Sequence, residues 1–268
     1  MIIADAPRPP VALDQIAASV VRARRSFRTR AVATWALLIG LLVAGLWATG
    51  NIDTEFIGVW GPWVVGGAGL TVFVSAVSIV FATLLALAGA MGRLSRNPYV
   101  NGVASLYVSL VRGTPLIVQI YFIYLALPQV GIVLAAIPAG IIALSFNYGA
   151  YMTEIFRAGI QAVPRGQREA AESLGMTERM VMRRIVLPQA FRIVIPAIGN
   201  DFIAMLKDSS LVSILAVEEL LFRAQLVGRQ NFRSLETLLI AAAIYWVLTM
   251  VFSYFQERLE RRMARGDR

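Results

Sequence analysis

The sequence predicts an all-α, polytopic transmembrane helix bundle, and three observations carry that prediction. Hydrophobic residues make up 58% of the 268-residue chain, charged residues only 15%, and mean hydropathy is +0.68. A soluble domain of this size carries roughly 25% charge, so the surplus apolar surface has to face lipid. Six stretches approach or exceed the roughly 20 mostly apolar residues that cross a hydrocarbon core. The basic residues, all arginine except Lys207, fall mainly between these stretches and favour alternate connections.

Residues 1–30 form a basic tail with six arginines. No cleavable signal peptide is expected, because this tail includes two aspartates and a proline pair and the first apolar run lacks a small-residue cleavage site. Residues 31–52 carry no charge and place a first span at 31–48. Pro62 and a glycine-rich stretch open the next uncharged run, which predicts a second span at about 64–91. A third span, 99–127, is interrupted by Arg112, and Gly113 and Pro115 should break or kink it. A fourth, 132–156, ends around Glu154 and Arg157. A fifth, 193–217, carries Asp201, Lys207 and Asp208, and a sixth, 237–256, is uncharged. Residues 257–268 form a second basic tail. No internal repeat or long linker divides 64–256, which reads as one transmembrane domain.

Short loops rich in arginine stay on the cytoplasmic side. The segments 1–30, 92–98, 157–192 and 257–268 hold twenty arginines, against three in the alternate connections. Both termini and the loop 157–192 are therefore expected in the cytoplasm, which six spans allow.

Composition also excludes. The chain has no Cys and no His, which removes thiol nucleophiles, disulfides, His/Cys metal sites and imidazole catalysis. No catalytic residue and no metal site are expected. The net charge of +9 does not call for nucleic acid, because the arginines flank apolar runs and suit membrane lipid instead. The one lysine follows no glycine-rich loop, so no G-x4-G-K-[ST] phosphate cradle exists and no cofactor is expected in this chain.

The loop 157–192 is the most structured connection. Pro164 sits where a helix can begin, residues 167–174 favour helix, and Gly175 can end it in a left-handed conformation. Thr177 is suited to cap a second short helix with Glu178 in its first turn, and Pro188 is expected to close it. On propensity alone this is an amphipathic pair that anchors the bundle at the interface.

The spacing adds to that. Glu169-Ala170-Ala171, three residues, Gly175, nine residues, Ile185, one residue, then Leu187-Pro188 resembles the EAA motif of ABC import permeases at every position. Arg112-Gly113-Thr114-Pro115, Asn147-Tyr148-Gly149-Ala150-Tyr151, Glu154-Ile155-Phe156-Arg157 and Leu206-Lys207-Asp208-Ser209-Ser210-Leu211 resemble segments of the polar amino-acid uptake branch of that family. The resemblance implies a type I importer permease-like bundle. Members of that branch commonly have five spans, so 31–48 is an extra N-terminal helix.

The resemblance also implies partners and roles. ATP-Mg would be handled by a separate ATP-binding cassette ATPase dimer docking at 164–188. Glu169, Ala170, Ala171, Gly175, Ile185, Leu187 and Pro188 would couple it to the membrane domain. A second permease, in a homodimer or heterodimer, and a periplasmic or lipid-anchored amino-acid-binding protein would complete the assembly in a bacterial plasma (inner) membrane.

Charges at membrane depth are expensive and mark function. For Arg112, Asp201, Lys207 and Asp208 two readings are open: they pair to fix helix packing, or they line a path for a polar solute. Asp201 and Asp208, seven apart, share one helix face, and Lys207 can neutralise an acid locally. Glu154 is either an interfacial anchor paired with Arg157 or a contact for a substrate amino or guanidinium group. Gln119, Tyr124, Asn147, Tyr148 and Asn200 either make packing hydrogen bonds or line the path. A proton- or sodium-coupled transporter, a membrane enzyme and a scaffold are the competing classes; none of them needs the EAA loop.

Overall fold

The computed structural model describes residues 11–48 and 52–263, and every regular element among them is helical. They fall into two units, residues 1–54 and 55–268. The first holds one helix, α1 (Val11–Ala48). Its apolar part, Thr29–Ala48, is long enough to cross a membrane and matches the predicted first span.

The second unit begins with α2 (Thr54–Val65) and α3 (Ala68–Arg93). The predicted span 64–91 is therefore too short. The apolar run is 40 residues long, Thr54–Arg93, broken only by Gly66 and Gly67, and Pro62 lies inside α2 instead of opening a span. Pro62 lies in the last turn of α2, where its missing N–H removes one bond, to the Gly58 carbonyl, and the helix ends three residues later.

α4 (Pro98–Arg112) and α5 (Leu116–Tyr121) were read as one span; they meet at a bend of 106° at the Gly113–Pro115 break. α5 continues through a wide π turn (Phe122–Ala126) and a 3-10 turn (Leu127–Val130) that ends on Gly131. α6 (Ala136–Gln161) is the central helix. α7 (Arg165–Ser173) and α8 (Glu178–Val181) follow, then α9 (Leu187–Asp208), a 3-10 segment (Ser209–Leu215), α10 (Leu220–Gln230) and α11 (Ser234–Met263). The stretch 218–236, expected as loop, thus contains a helix.

Lipid chains are as apolar as leucine, so helices in a membrane associate through close packing, not through water exclusion. α3 and α6 make the most extensive contact. The buried face of α3 repeats small residues every turn: Thr71, Ser75, Ser78, Ala82, Ala86 and Ala90. A Cβ on Gly89 would overlap the Thr153 side chain of α6, so only glycine allows this approach. The main core gathers Val74, Ala86, Leu144, Met152, Val194, Met205 and Val212 from α3, α6, α9 and the 3-10 segment. A second cluster joins α2, α10 and α11 around Val64, Leu220 and Ala241. α11 is also held to α9, where Gln256 Nε2 donates to the Pro196 carbonyl at 2.7 Å and Phe252 meets Phe202 edge-on at 5.0 Å.

Candidate functional site

Two features of the second unit carry polar chemistry, and α6 and α9 connect them. The first is a cavity of about 350 Å³ between the bent α4–α5 pair, α6 and α9. Thr114, Pro115 and Leu116 line it from the bend, Asn147, Tyr148 and Tyr151 from α6, and Asp201, Ala204 and Asp208 from α9. The spacing of 147, 148 and 151 and of 201, 204 and 208 is that of one helix face, so α6 presents a polar stripe and α9 two aspartates separated by Ala204.

The bend is braced from within. Gln119 Nε2 donates to the Val111 carbonyl at 2.8 Å, the Thr114 carbonyl at 3.1 Å and Thr114 Oγ1 at 2.9 Å, and its Oε1 accepts from Asn147 Nδ2 at 3.2 Å. Carbonyls released by the Gly113–Pro115 break thus find a donor, as backbone at membrane depth requires. Arg112 is exposed at the rim, 5.2 Å over the Tyr151 ring.

The two acids differ. Asp208 Oδ2 accepts from Tyr148 Oη at 2.7 Å. Asp201 Oδ2 is buried and has no hydrogen-bond partner. Lys207 is exposed and is not among the lining residues, so the expected local neutralisation is not built. Asn200 is also exposed and outside the lining, and Tyr124 packs against the main core.

Glu154 is elsewhere. Its carboxylate accepts from Arg93 Nε at 3.1 Å and from Arg157 Nε and Nη2 at 2.9 and 2.7 Å. Arg93 also donates to Ser105, which ties α3, α4 and α6 together. The anchor reading fits this placement; a place in the cavity wall does not.

The second feature is the hairpin α7–α8. Thr177 Oγ1 accepts from the Met180 N–H at 3.4 Å, the cap expected of it. Gly175 ends α7 with φ +80°, a conformation that side chains resist. Pro188 does not close the second helix. The chain runs from α8 through a π turn (Met182–Val186) directly into α9, with Pro188 in the first turn of α9. Proline lacks an N–H and its ring crowds the carbonyl four residues back; the widened turn accommodates both.

Glu169, Ala170 and Gly175 are exposed on this hairpin, as is Leu174. Ala171 is not: it is buried with Ile160, Val163, Val181, Val186 and Ala190, and Ile185 packs against them. Leu187 is half-buried and Pro188 exposed. The small side chain of Ala171 therefore allows close approach to the bundle, not to an outside partner.

Two pairings escaped the sequence reading. Arg168 Nη2 donates to the Ile160 carbonyl at 2.6 Å, near the end of α6. Gln189 Nε2, in α9, donates to Gln167 Oε1 in α7 at 2.6 Å. The hairpin is thus fastened to both helices that reach the cavity, which lies about 20 Å along each of them at 1.5 Å per residue. Tyr151 was also missed as a lining residue, although its spacing from Tyr148 pointed to it.

Residues 78–265 match the family model described as "binding-protein-dependent transport system inner membrane component". The L-cystine transport system permease protein TcyB of Bacillus subtilis is 42% identical over 205 residues, 76% of this chain and 88% of that one. The arginine transport system permease protein ArtQ of the same organism is 35% identical over 208 residues, 77% of this chain and 94% of that one. A chain in the crystal structure of an amino acid ABC transporter with histidines superposes with a TM-score of 0.75 at 40% identity, over 79% of this chain and 99% of that chain. The methionine transporter MetNI, inward-facing, shares the fold with a TM-score of 0.64 at 18% identity. The chain belongs to the family of inner-membrane components of binding-protein-dependent transport systems and is a permease subunit, not the ATPase.

Proposed function

We propose that this permease carries polar amino acids into the cell, with its cavity as part of the path and the hairpin 164–188 as the seat of an ATP-binding cassette ATPase dimer. A second permease subunit completes the pore. A periplasmic or lipid-anchored amino-acid-binding protein delivers substrate at the outer face, where 218–236, through its exposed turn at 229–232, and the turn near 128–131 are the candidates. Both termini lie in the cytoplasm, in keeping with the segregation of arginine.

One observation supports this reading above the others: a hairpin with Glu169 and Ala170 turned outward is fastened to α6 and α9, two of the helices that line the cavity. A short helix laid in a groove of a partner transmits force only if its base is stiff. Here the base is a packed apolar cluster with two hydrogen bonds, so displacement of α7 shifts α6 and α9 together. At the far end Asp201, Asp208 and Tyr148 offer acceptors to an ammonium group, and the second amide N–H of Asn147 offers a donor to a carboxylate. The curated relatives for cystine and arginine favour an amino acid as the solute.

The test is uptake of radiolabelled amino acids into proteoliposomes holding this permease, its partner permease if one is needed, the ATPase and the binding protein. Uptake should require ATP and the ATPase. Glu169→Lys should leave insertion intact and abolish uptake; wild-type uptake by that variant, or uptake without the ATPase, overturns the reading.

A further inference from the structure

α1 is a single 38-residue helix in a unit of its own. Its apolar part, Thr29–Ala48, has 20 residues, none of them buried within the chain. At 1.5 Å per residue it is about 30 Å long, the thickness of a hydrocarbon core. Arginines at positions 22, 24, 25, 28 and 30 therefore lie in the first turn of that part or within about 10 Å of its N-terminal end, on the same unbroken helix.

Successive residues turn by about 100°, so these five positions surround the helix with no gap wider than about 120°. No Asp or Glu occurs between Asp14 and Asp53. A topology signal needs only more positive charge on one side of a span than on the other. Five arginine positions distributed around one helix with no acid among them do more: they concentrate positive charge that is self-repelling unless anions lie nearby. At that depth the anions at hand are lipid phosphates, and the guanidinium fork suits phosphate oxygens.

We infer that residues 22–30 of α1 are an anionic-phospholipid anchor, collecting phosphatidylglycerol-type headgroups around the helix in the leaflet at its N-terminal end. The solved amino acid transporter chain is covered over 99% of its length by 79% of this chain. The unit that holds α1, residues 1–54, is about the size of the unmatched remainder. The anchor thus lies outside the part, residues 78–265, that matches the family, and it makes this permease favour an acidic lipid environment.

The test uses the full chain in nanodiscs of phosphatidylcholine and phosphatidylglycerol in equal parts, extracted in mild detergent, with retained lipid counted by native mass spectrometry. Wild type should be enriched in phosphatidylglycerol. The variant Arg22→Gln/Arg24→Gln/Arg25→Gln, which keeps Arg28 and Arg30 to set orientation, should bind it roughly a hundredfold more weakly, at about fivefold per arginine beside an anionic surface. The matching Arg→Lys variant should keep most of the enrichment. Salt at about 1 M, where charges are screened beyond about 3 Å, should strip the lipid from wild type. Equal enrichment in wild type and the Gln variant overturns the anchor. So does displacement by inorganic phosphate at a fixed ionic strength of about 0.15 M, which would make these positions a site for free anions. The readout is lipid, not uptake, so failure here leaves the transport reading standing.

Discussion

Two of the carboxylates between apolar helices in this bundle, Glu219 and Asp201, are treated in opposite ways. Glu219, fully buried where α3, α10 and α11 meet, is saturated. It accepts from Tyr245 Oη at 2.5 Å, the Phe222 N–H at 2.7 Å and Thr71 Oγ1 at 3.4 Å. Thr71 Oγ1 in turn accepts from the Leu220 N–H at 3.2 Å. Asp201, in the cavity wall, has one buried oxygen with no partner at all. A buried acceptor left open costs about 1–3 kcal/mol, more when charged. A group kept for stability would be expected to find donors, as Glu219 does. A group kept for a passing ligand has to leave them to the ligand. The contrast separates acids that build the fold from acids that use it.

Glu219→Leu should show the largest effect on stability. It leaves the Tyr245 hydroxyl and the first turn of α10 without their acceptor, although Thr71 keeps the Gly67 carbonyl at 3.2 Å, a loss of about 3–5 kcal/mol by analogy with broken buried charge networks. Thermal unfolding of the purified chain in nanodiscs reads it directly. A variant that melts like wild type would remove one side of the comparison. Asp201→Asn should do the reverse. It preserves shape and removes an unpaired charge, so unfolding should be unchanged or slightly later, by about 1 kcal/mol at most. Uptake in the reconstituted system should fall about tenfold, the equivalent of about 1.4 kcal/mol of lost binding. Wild-type uptake in Asp201→Asn would return Asp201 to the role of a packing residue.

This division was only half visible in the sequence. The apolar runs and the seven-residue step from Asp201 to Asp208 are local patterns, and each is realised: the spans are helical, and both aspartates line one cavity. The break at Gly113 and Pro115 is local too. Glu219 was not legible, because its burial depends on Thr71 and Tyr245, which lie 148 and 26 residues away in the chain. By composition it looked like one of several loop acids. The continuous helix through Pro188 was missed for a different reason. Proline near a predicted helix end reads as a stop, and only the π turn before it, a response to packing of the hairpin against α6 and α9, shows it to be a start. Lys207 and Asn200 were misplaced because neighbouring residues on a helix face different ways, so adjacency to an acid in sequence says little about sharing its cavity.

Arg168 is the case in between, and it gives the smallest and sharpest prediction. One nitrogen, Nη2, is paired with the Ile160 carbonyl, whereas Nε is buried without a partner. If the hairpin moves α6 through that bond, Arg168→Gln should leave assembly with the ATPase and the rate of ATP hydrolysis near wild type. The amino acid moved per ATP should fall about two- to fivefold, as expected for losing one hydrogen bond of about 1 kcal/mol. The effect stays modest because the Gln167–Gln189 pair and the cluster around Ala171 still fasten the hairpin to α9. Arg168→Lys, which keeps a donor on a long stem, should recover part of the ratio. A purely structural role would instead lower assembly and hydrolysis together and leave the ratio fixed, so the ratio alone decides whether this arginine holds the hairpin or drives through it.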